Sequence, residues 1–259
     1  MTKNIRIIII VVALIVAGIS GYNIVSNYLE MHRGDTAYEN IRDEVIIEPS
    51  ETADEPQQKN YDCIDVNFDM LENINTDIVA WLYIHDTPVS YPVLHGTDNQ
   101  AYLRTTYDRK SNILGSIFED YRNDPNLKDT NTIIYGHNTT NDSMFGSLKK
   151  YKDQTFADNH PNICVLKKEG LYVYEIFSVY ETLATSNTYT IRFSSEETFA
   201  EYINEMAAKT VVSAADPPEA SEQILTLSTC TGGNKAMRLV LQAKYIDFVP
   251  AEDKQTPIL

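Results

Sequence analysis

A succession of short apolar and β-branched segments constrains the fold of this chain more than any other feature. They predict strands at residues 78–84, 89–94, 115–119, 131–135, 162–166, 171–180, 188–193, 224–230 and 237–245. Helices are predicted among them at residues 68–74, 144–156 and 195–209, without a series of alternating βαβ units. A closed barrel of mixed and antiparallel strands is the simplest arrangement for so many short strands. We therefore predict a mostly β fold with peripheral helices.

The N-terminal segment indicates where the protein resides. Lys3 and Arg6 precede an apolar run that extends to Val25, with a polar interruption at residues 20–23. The run is about long enough to cross a bilayer, and positive charge before it predicts a cytoplasmic N-terminus. A cleaved signal peptide is the alternative, but the run lacks a clean cleavage site. We predict an uncleaved anchor over residues 1–27 in a single-pass protein of the cell membrane, with the remainder outside.

The chain after the anchor divides into a linker and a body. Residues 28–60 are polar and strongly acidic, which is typical of a stalk that acts as a spacer. Within it we predict a helix at residues 38–45, followed by a flexible stretch. Residues 61–259 are predicted to form one folded β-barrel domain. Residues 249–259 are too few and too polar for a second membrane span.

The charge of the chain excludes one class of partner. The formal net charge is −16 over 259 residues. Nucleic-acid binding requires basic surfaces, so we predict no nucleic-acid partner. The same charge argues against a direct affinity for anionic lipid headgroups and suits a well-hydrated domain.

The three cysteines, Cys63, Cys164 and Cys230, form an odd set. Outside the cytoplasm an even number is expected where disulfides hold the fold. A bridge between Cys63 and Cys164 and a pair of buried thiols are both compatible with the sequence. In either case one cysteine is left over and calls for an explanation.

Cys230 lies at the end of a predicted strand and is a candidate nucleophile. Arg238 begins the next predicted strand, so a guanidinium is close to the thiol in sequence. The thiolate is the reactive form of cysteine, and a neighbouring cation favours it. Taken alone, a cysteine on a strand is as often a small buried hydrophobic residue.

His137 is a candidate general acid and base. It follows the predicted strand at residues 131–135, and Gly136 permits a sharp exit that presents the imidazole at the rim of a barrel. His85 and His95 also follow predicted strands and are weaker candidates. Cysteine, histidine and arginine together suit acyl transfer through a thioester, with the histidine moving protons and the guanidinium supporting the oxyanion.

These motifs carry a family resemblance. The Tyr-Gly-His-Asn sequence at residues 135–138, the Thr-Leu-Ser-Thr-Cys-Thr sequence at residues 226–231 and Arg238 resemble the signatures of the sortases, cysteine transpeptidases of the Gram-positive cell surface. The two motif forms and the long helix at residues 195–209 resemble class B. The resemblance covers about residues 67–248. It implies a closed, eight-stranded, mixed parallel and antiparallel barrel with an N-terminal helix and a long helix before the cysteine strand.

The resemblance also implies a reaction and roles for individual residues. Cys230 would form a thioester with the threonine of a C-terminal sorting signal, His137 would be the general acid and base, and Arg238 would steady the oxyanion or the peptide. Three further residues are implied to contact the substrate: Ser228, Thr229 and Asn138. For Ser228, a strand serine facing solvent is the alternative.

The resemblance implies two kinds of partner. Secreted proteins with a C-terminal sorting motif would donate the acyl group, and an amine of cell-wall peptidoglycan or of its lipid-linked precursor would accept it. We predict no cofactor and no metal, because the acidic residues are scattered along the chain. Residues 231–236 depart from the aromatic or acidic residue common after the cysteine in this family.

Other functions fit less well. Seven residues separate Cys230 from Arg238, whereas the phosphate cradle of cysteine phosphatases has five. A papain-like hydrolase would have its cysteine before its histidine. An L,D-transpeptidase of peptidoglycan is suggested only by the His-Gly-Thr sequence at residues 95–97. A membrane-tethered, non-catalytic surface binding module is the alternative from another class.

Overall fold

The structure is a computed structural model that describes residues 3–47, 61–230 and 236–251. Its strands span Ile46–Ile47 (β1), Asp65–Val66 (β2), Ile78–Tyr83 (β3), Ser90–His95 (β4), Ile117–Glu119 (β5), Asn131–Gly136 (β6), Asn162–Lys167 (β7), Gly170–Leu183 (β8), Ile224–Cys230 (β9) and Met237–Pro250 (β10). Its α-helices span Lys3–Val45 (α1), Phe68–Ile74 (α2), Gln154–Asn159 (α3) and Glu196–Ala207 (α4). Two 3-10 helices span Gly146–Lys152 and Asn187–Tyr189.

Strands β3 to β10 form a closed barrel. Around the barrel their order is β10, β8, β7, β3, β4, β5, β6 and β9, and the pairing of β9 with β10 closes it. The pairs β4–β5 and β6–β9 are parallel, and the other pairs are antiparallel. The prediction of a closed, mixed barrel of eight strands is confirmed.

Two hydrophobic clusters hold the barrel and its covering helix together. The larger one includes Trp81, Val165 and Leu227, which come from three different strands and expose none of their surface. Removing apolar surface of this kind from water is the main stabilising contribution to folding. The barrel interior is therefore a packed core, and the functional groups lie at its ends and on its walls.

The predicted long helix before the cysteine strand is α4. Ser195 caps its first turn: the hydroxyl accepts a hydrogen bond from the backbone of Thr198, whose side chain in turn accepts from the Ser195 backbone. Its apolar face is buried against β8, β9 and β10 in the second cluster, through Phe199, Tyr202, Ile203 and Met206. The helix thus covers the outer wall of the barrel beside the cysteine strand.

Two predicted elements differ from those observed. The helix predicted at residues 144–156 is a 3-10 helix followed by α3, because the Asp153 side chain caps a new helix by accepting from the backbone of Phe156. The strand predicted at residues 188–193 contains the second 3-10 helix instead. The Asn131 side chain donates to the carbonyls of Thr188 and Thr190, and its backbone N–H donates to the carbonyl of Ile191, so this segment is bonded to the start of β6 without forming a strand.

Helix α1 joins the predicted anchor to the body. It is long and apolar enough to cross a membrane: an 18-residue window has a mean hydropathy of 2.5, and none of that window is buried. No second helix of that kind occurs among the described residues. The helix continues to Val45 without interruption.

The prediction that residues 28–60 act only as a spacer is wrong for their helical part. Tyr38, Ile41 and Val45 are each 1% exposed, because their spacing places them on one helical face that packs against the barrel. Residues 48–60 lie outside the described part of the chain. The boundary predicted at residue 61 stays a prediction.

A disulfide joins Cys63 to Cys164 on β7, across 101 residues of sequence. The sequence left this bridge and a pair of buried thiols open, and the structure has the bridge. Cys230 is the remaining cysteine of the three.

Candidate active site

The three predicted catalytic residues lie at one edge of the barrel. On the antiparallel side of β9, Arg238 pairs directly with Cys230. On its parallel side, Gly136 at the end of β6 pairs with Thr229. His137 and Cys230 are therefore the next residues of two adjacent parallel strands, and they emerge at the same level of the barrel. Strand register thus brings together residues that are 93 and 8 positions apart in sequence.

Gly136 is required where β6 ends because other residues approach its backbone closely. A side-chain carbon at this position would lie 2.5 Å from Cδ1 of Ile117 and 2.6 Å from the ring of Phe145. No Cβ fits at these distances, so only glycine allows the strand to pass between these side chains. The sequence predicted a sharp exit from the strand at Gly136; in the structure Gly136 is the last residue of β6, paired with Thr229, and packing is the reason that glycine is required.

The loop before β5 holds the imidazole of His137. The ring atom Nε2 lies 2.6 Å from the backbone carbonyl oxygen of Leu103. A carbonyl only accepts hydrogen bonds, so Nε2 carries the proton in this contact. In the neutral ring, Nδ1 is then the basic nitrogen. The backbone carbonyl of His137 accepts from Phe145, at 3.0 Å, which anchors the residue on its other side.

Arg238 is partly buried at the start of β10. Its Nη1 donates to the backbone carbonyl of Met237 at 2.9 Å. Thr182 on β8 is its partner on the other side, so the backbone of Arg238 is held between two strands. A guanidinium so placed offers several fixed N–H donors beside the end of β9.

The three residues implied to contact substrate have different surroundings. Ser228 is 1% exposed, and its hydroxyl lies 3.0 Å from the hydroxyl of Tyr189, so the alternative of a solvent-facing serine is wrong. Thr229 is 2% exposed, and its Oγ1 has no hydrogen-bond partner in the described part of the chain. Asn138 is half-buried, and its backbone forms an isolated antiparallel β-bridge with Met144 in the loop after β6.

Comparison with known proteins identifies the family. A family model of the sortase domain matches residues 82–246. The chain belongs to the sortase family. It is 31% identical over 246 residues to sortase B of Staphylococcus aureus, which covers 94% of this chain and 98% of the relative. Its class, as predicted, is B.

Solved structures agree with this assignment. A structure of sortase B from B. anthracis in complex with AAEK1 has a TM-score of 0.71 at 32% identity and covers 85% of this chain and 99% of that one. The Staphylococcus aureus sortase B-substrate complex has a TM-score of 0.66 at 35% identity, over 70% of this chain and 84% of that one. As a sortase, the protein is a cysteine transpeptidase that acts on cell-surface proteins.

A polar and aromatic cluster beside Ser228 was not found from the sequence of this sortase. The ring of Tyr135 stacks on that of Tyr189, with centroids 6.1 Å apart, and its hydroxyl donates to Asp120 at 2.9 Å. Arg122 also donates to both carboxylate oxygens of Asp120, at 2.8 and 2.7 Å. Burial opposes ionisation of Asp120, but these hydrogen bonds hold its pKa below the usual value. Only Tyr135 carried a sequence signal, as part of the histidine motif.

His95, the weaker histidine candidate, does not reach the edge where the sortase motifs meet. Its Nδ1 lies 3.0 Å from Oε2 of Glu119, which is its register partner on β5. This pair lies at the end of β5 away from Ile117, which packs at Gly136. Among the described residues, no group of three or more His, Cys, Asp or Glu side chains is placed to hold a metal ion.

Proposed function

We propose that this sortase cleaves a C-terminal sorting signal of secreted proteins after threonine and transfers the acyl group to an amine of the cell wall. The observation that carries the proposal is the register at the barrel edge, where Arg238 pairs with Cys230 and Gly136 pairs with Thr229. A nucleophile, a proton carrier and a fixed cation at one edge are the groups that acyl transfer requires.

The reaction divides into two steps. His137 takes the thiol proton of Cys230, the sulfur attacks the threonine carbonyl carbon, and the C–N bond breaks as His137 gives that proton to the leaving amine. The acceptor amine then attacks the thioester, and His137 takes a proton from it while the thiolate leaves. Since Nε2 is bonded to Leu103, we assign the proton transfers to Nδ1.

Arg238 stabilises charge in both steps. The attacked carbonyl becomes an oxyanion, and a guanidinium beside it lowers the barrier most if its position is fixed in advance. The backbone of Arg238 is paired with β8 and β9, and the bond from its Nη1 to the Met237 carbonyl supports a fixed position of the guanidinium. We assign peptide contacts to Ser228, Thr229 and Asn138, with Ser228 exchanging its bond to Tyr189 for one to the peptide.

We further propose that α1 anchors the sortase in the cell membrane. The apolar and exposed N-terminal part of α1 supports an uncleaved single span over residues 1–27. Basic residues before the span favour a cytoplasmic N-terminus and a catalytic body outside. The acceptor is then an amine of peptidoglycan or of its lipid-linked precursor.

Turnover of sorting pentapeptides by the full chain in detergent tests the proposal. A panel of candidate peptides is assayed with and without an added cell-wall peptide amine, so that hydrolysis and transfer are measured together. Cys230→Ala and His137→Gln are expected to lower kcat by at least about 10⁴-fold, because each removes a group that forms or breaks bonds.

His160→Gln is the matched control for the histidine. His160 bonds to the carbonyl of Phe156 after α3, so its loss is expected to leave turnover unchanged. Cleavage and transfer by Cys230→Ala at the wild-type rate would overturn the proposal, and absence of turnover by the wild type itself would favour a non-catalytic binding module. Comparison of a soluble amine with a lipid-borne amine in the same assay distinguishes the two acceptors.

A further inference from the structure

The C-terminal half of α1 is bonded to the loop between β4 and β5. Asn112 donates to the backbone carbonyl of Glu30 at 2.8 Å, and the Glu30 carboxylate accepts from the backbone of Ile113 at 3.0 Å. Tyr107 donates to the carbonyl of Ala37 at 3.0 Å. These contacts make the helix and the loop one packed unit outside the barrel.

One contact in this interface leads toward the proposed site. The Tyr38 hydroxyl donates to the backbone carbonyl of Gly115 at 2.6 Å and lies 3.2 Å from the hydroxyl of Ser116. Tyr38 is 1% exposed, so these bonds are shielded from bulk solvent. Tyr38 therefore fixes the backbone of Gly115 relative to α1.

Gly115 in turn lies directly against the backbone of Leu103. Its φ is +56°, and a side-chain carbon there would lie 2.5 Å from the Leu103 carbonyl oxygen. The same oxygen is the one that accepts from Nε2 of His137. Contacts thus run from Tyr38 through Gly115 and Leu103 to the imidazole.

We propose that Tyr38 is a positioning residue for His137. The proposal rests on the proposed function, in which His137 carries protons. If Gly115 moves, the Leu103 carbonyl moves with it, and the hydrogen bond that selects the Nε2–H form of the neutral ring weakens. A ring in the other tautomer has its proton on Nδ1 and cannot accept one there. A helix that was predicted to be part of a spacer therefore determines which ring nitrogen is basic.

Tyr38→Phe in the full chain, measured in detergent, tests this inference. The change removes one oxygen and keeps the ring packed against Tyr91 and Tyr107. Two-bond ¹⁵N–¹H NMR of protein labelled at the histidine rings, at mildly alkaline pH, reports the tautomer of His137, assigned by its absence in His137→Gln. We expect wild-type His137 to be Nε2–H and the variant to be a mixture. We expect kcat for the sorting peptide to fall about tenfold with KM unchanged.

Tyr107→Phe is the matched control. It removes a hydroxyl from the same interface between helix and loop, but its bond goes to Ala37 and not to Gly115. We expect a similar loss of thermal stability, an unchanged tautomer and an unchanged kcat. Equal tautomers in the wild type and both variants, or equal losses of kcat in both variants, would overturn the proposal.

Gly115→Ala tests the middle of the path separately. The added carbon must displace the Leu103 carbonyl, so the tautomer should shift at least as far as in Tyr38→Phe. An unchanged His137 tautomer in a folded Gly115→Ala protein contradicts the inference. The NMR readout does not depend on activity, so a wild-type chain that is inert toward sorting peptides would count against the proposed function alone.

Discussion

At the scale of single residues, the His95–Glu119 pair has the clearest dependence on pH. The hydrogen bond that the His95 ring donates to Glu119 raises the pKa of His95, and burial of the ring opposes the shift. Burial raises the pKa of Glu119, and His95 opposes that shift. Lys167, Asp129, Asp120 and Asp124 are the other charged groups that act on the pair. Both partners hold their protons more tightly in the folded protein than in the unfolded chain.

Because both pKa values are raised on folding, the pair stabilises the folded protein more at low pH than at high pH. A raised folded pKa contributes stability below the unfolded value, and this contribution is lost as the pH rises through the folded value. The unfolded values are about 4.3 for glutamate and 6.5 for histidine. We expect the apparent Tm of the wild type in detergent to fall as the pH rises from about 6 to about 8.5.

His95→Gln isolates the histidine part of this effect. The variant should be less stable at neutral pH by about 1–3 kcal/mol, because it leaves the buried Glu119 carboxyl without the imidazole that bonds to it. It should also lose less Tm than the wild type over the same pH range. Parallel Tm curves for the two proteins would show that the pair does not govern this pH range.

At the scale of elements, the docking of α1 depends on close packing at Gly34. A side-chain carbon there would lie 2.6 Å from Cδ1 of Leu114 and 2.7 Å from Oδ1 of Asn112. Gly34→Ala forces these side chains to move, which costs about 1–3 kcal/mol, against a gain of up to about 1 kcal/mol in helix propensity. We expect a lower Tm in thermal unfolding of the full chain.

Gly21→Ala is the control for this prediction. Nothing lies within 4 Å of a side-chain carbon at Gly21, so the substitution brings the propensity gain without the clash. We expect Gly34→Ala to lower Tm, and we expect Gly21→Ala to raise it or leave it unchanged. A Gly34→Ala protein as stable as Gly21→Ala would mean that the helix does not pack tightly on residues 112–114.

The sequence predicted most elements because their patterns are local. Strands β6, β7, β9 and β10 are rich in apolar or β-branched residues, and α4 carries both a cap and an apolar face. The 3-10 helix at Asn187–Tyr189 was not predicted, since it depends on bonds from Asn131 and Tyr202, which are distant in sequence.

In the candidate site, too, some residues could be predicted from the sequence and others could not. Cys230, His137 and Arg238 have side chains with recognisable chemistry at strand ends, so they could be found from sequence. Leu103 contacts His137 through a backbone carbonyl, which every residue possesses, and no sequence pattern could indicate it. The packing of Tyr38, Ile41 and Val45 did have a signal in their spacing, but the surrounding acidic residues concealed it.

At the scale of the whole molecule, the disulfide is expected to leave one of the three cysteines with a thiol that can be titrated before reduction. The bridge closes a loop with a sequence separation of 101 residues, and such cross-links typically stabilise a fold by about 2–4 kcal/mol. Denatured protein without reductant should have one titratable thiol per chain, and reduced protein should have three.

Reduction should also lower the apparent Tm of the full chain. Cys230→Ala provides the control, because it should have no titratable thiol before reduction and two afterwards. Three thiols in the unreduced, denatured wild type would contradict the bridge. A reductant that leaves Tm unchanged would mean that the bridge contributes little to stability.

The position of β9 between β6 and β10 has a consequence for the order of folding. Of the strands in the described part of the chain, the cysteine strand is the last but one to be synthesised, and its two neighbours meet only through it. Until β9 pairs with both neighbours, the barrel is open between β6 and β10. His137 and Arg238 are then not yet next to Cys230. The enzyme therefore acquires its reactive arrangement in the same event that seals its core, and a partly folded chain has no assembled centre with which to acylate the wrong protein.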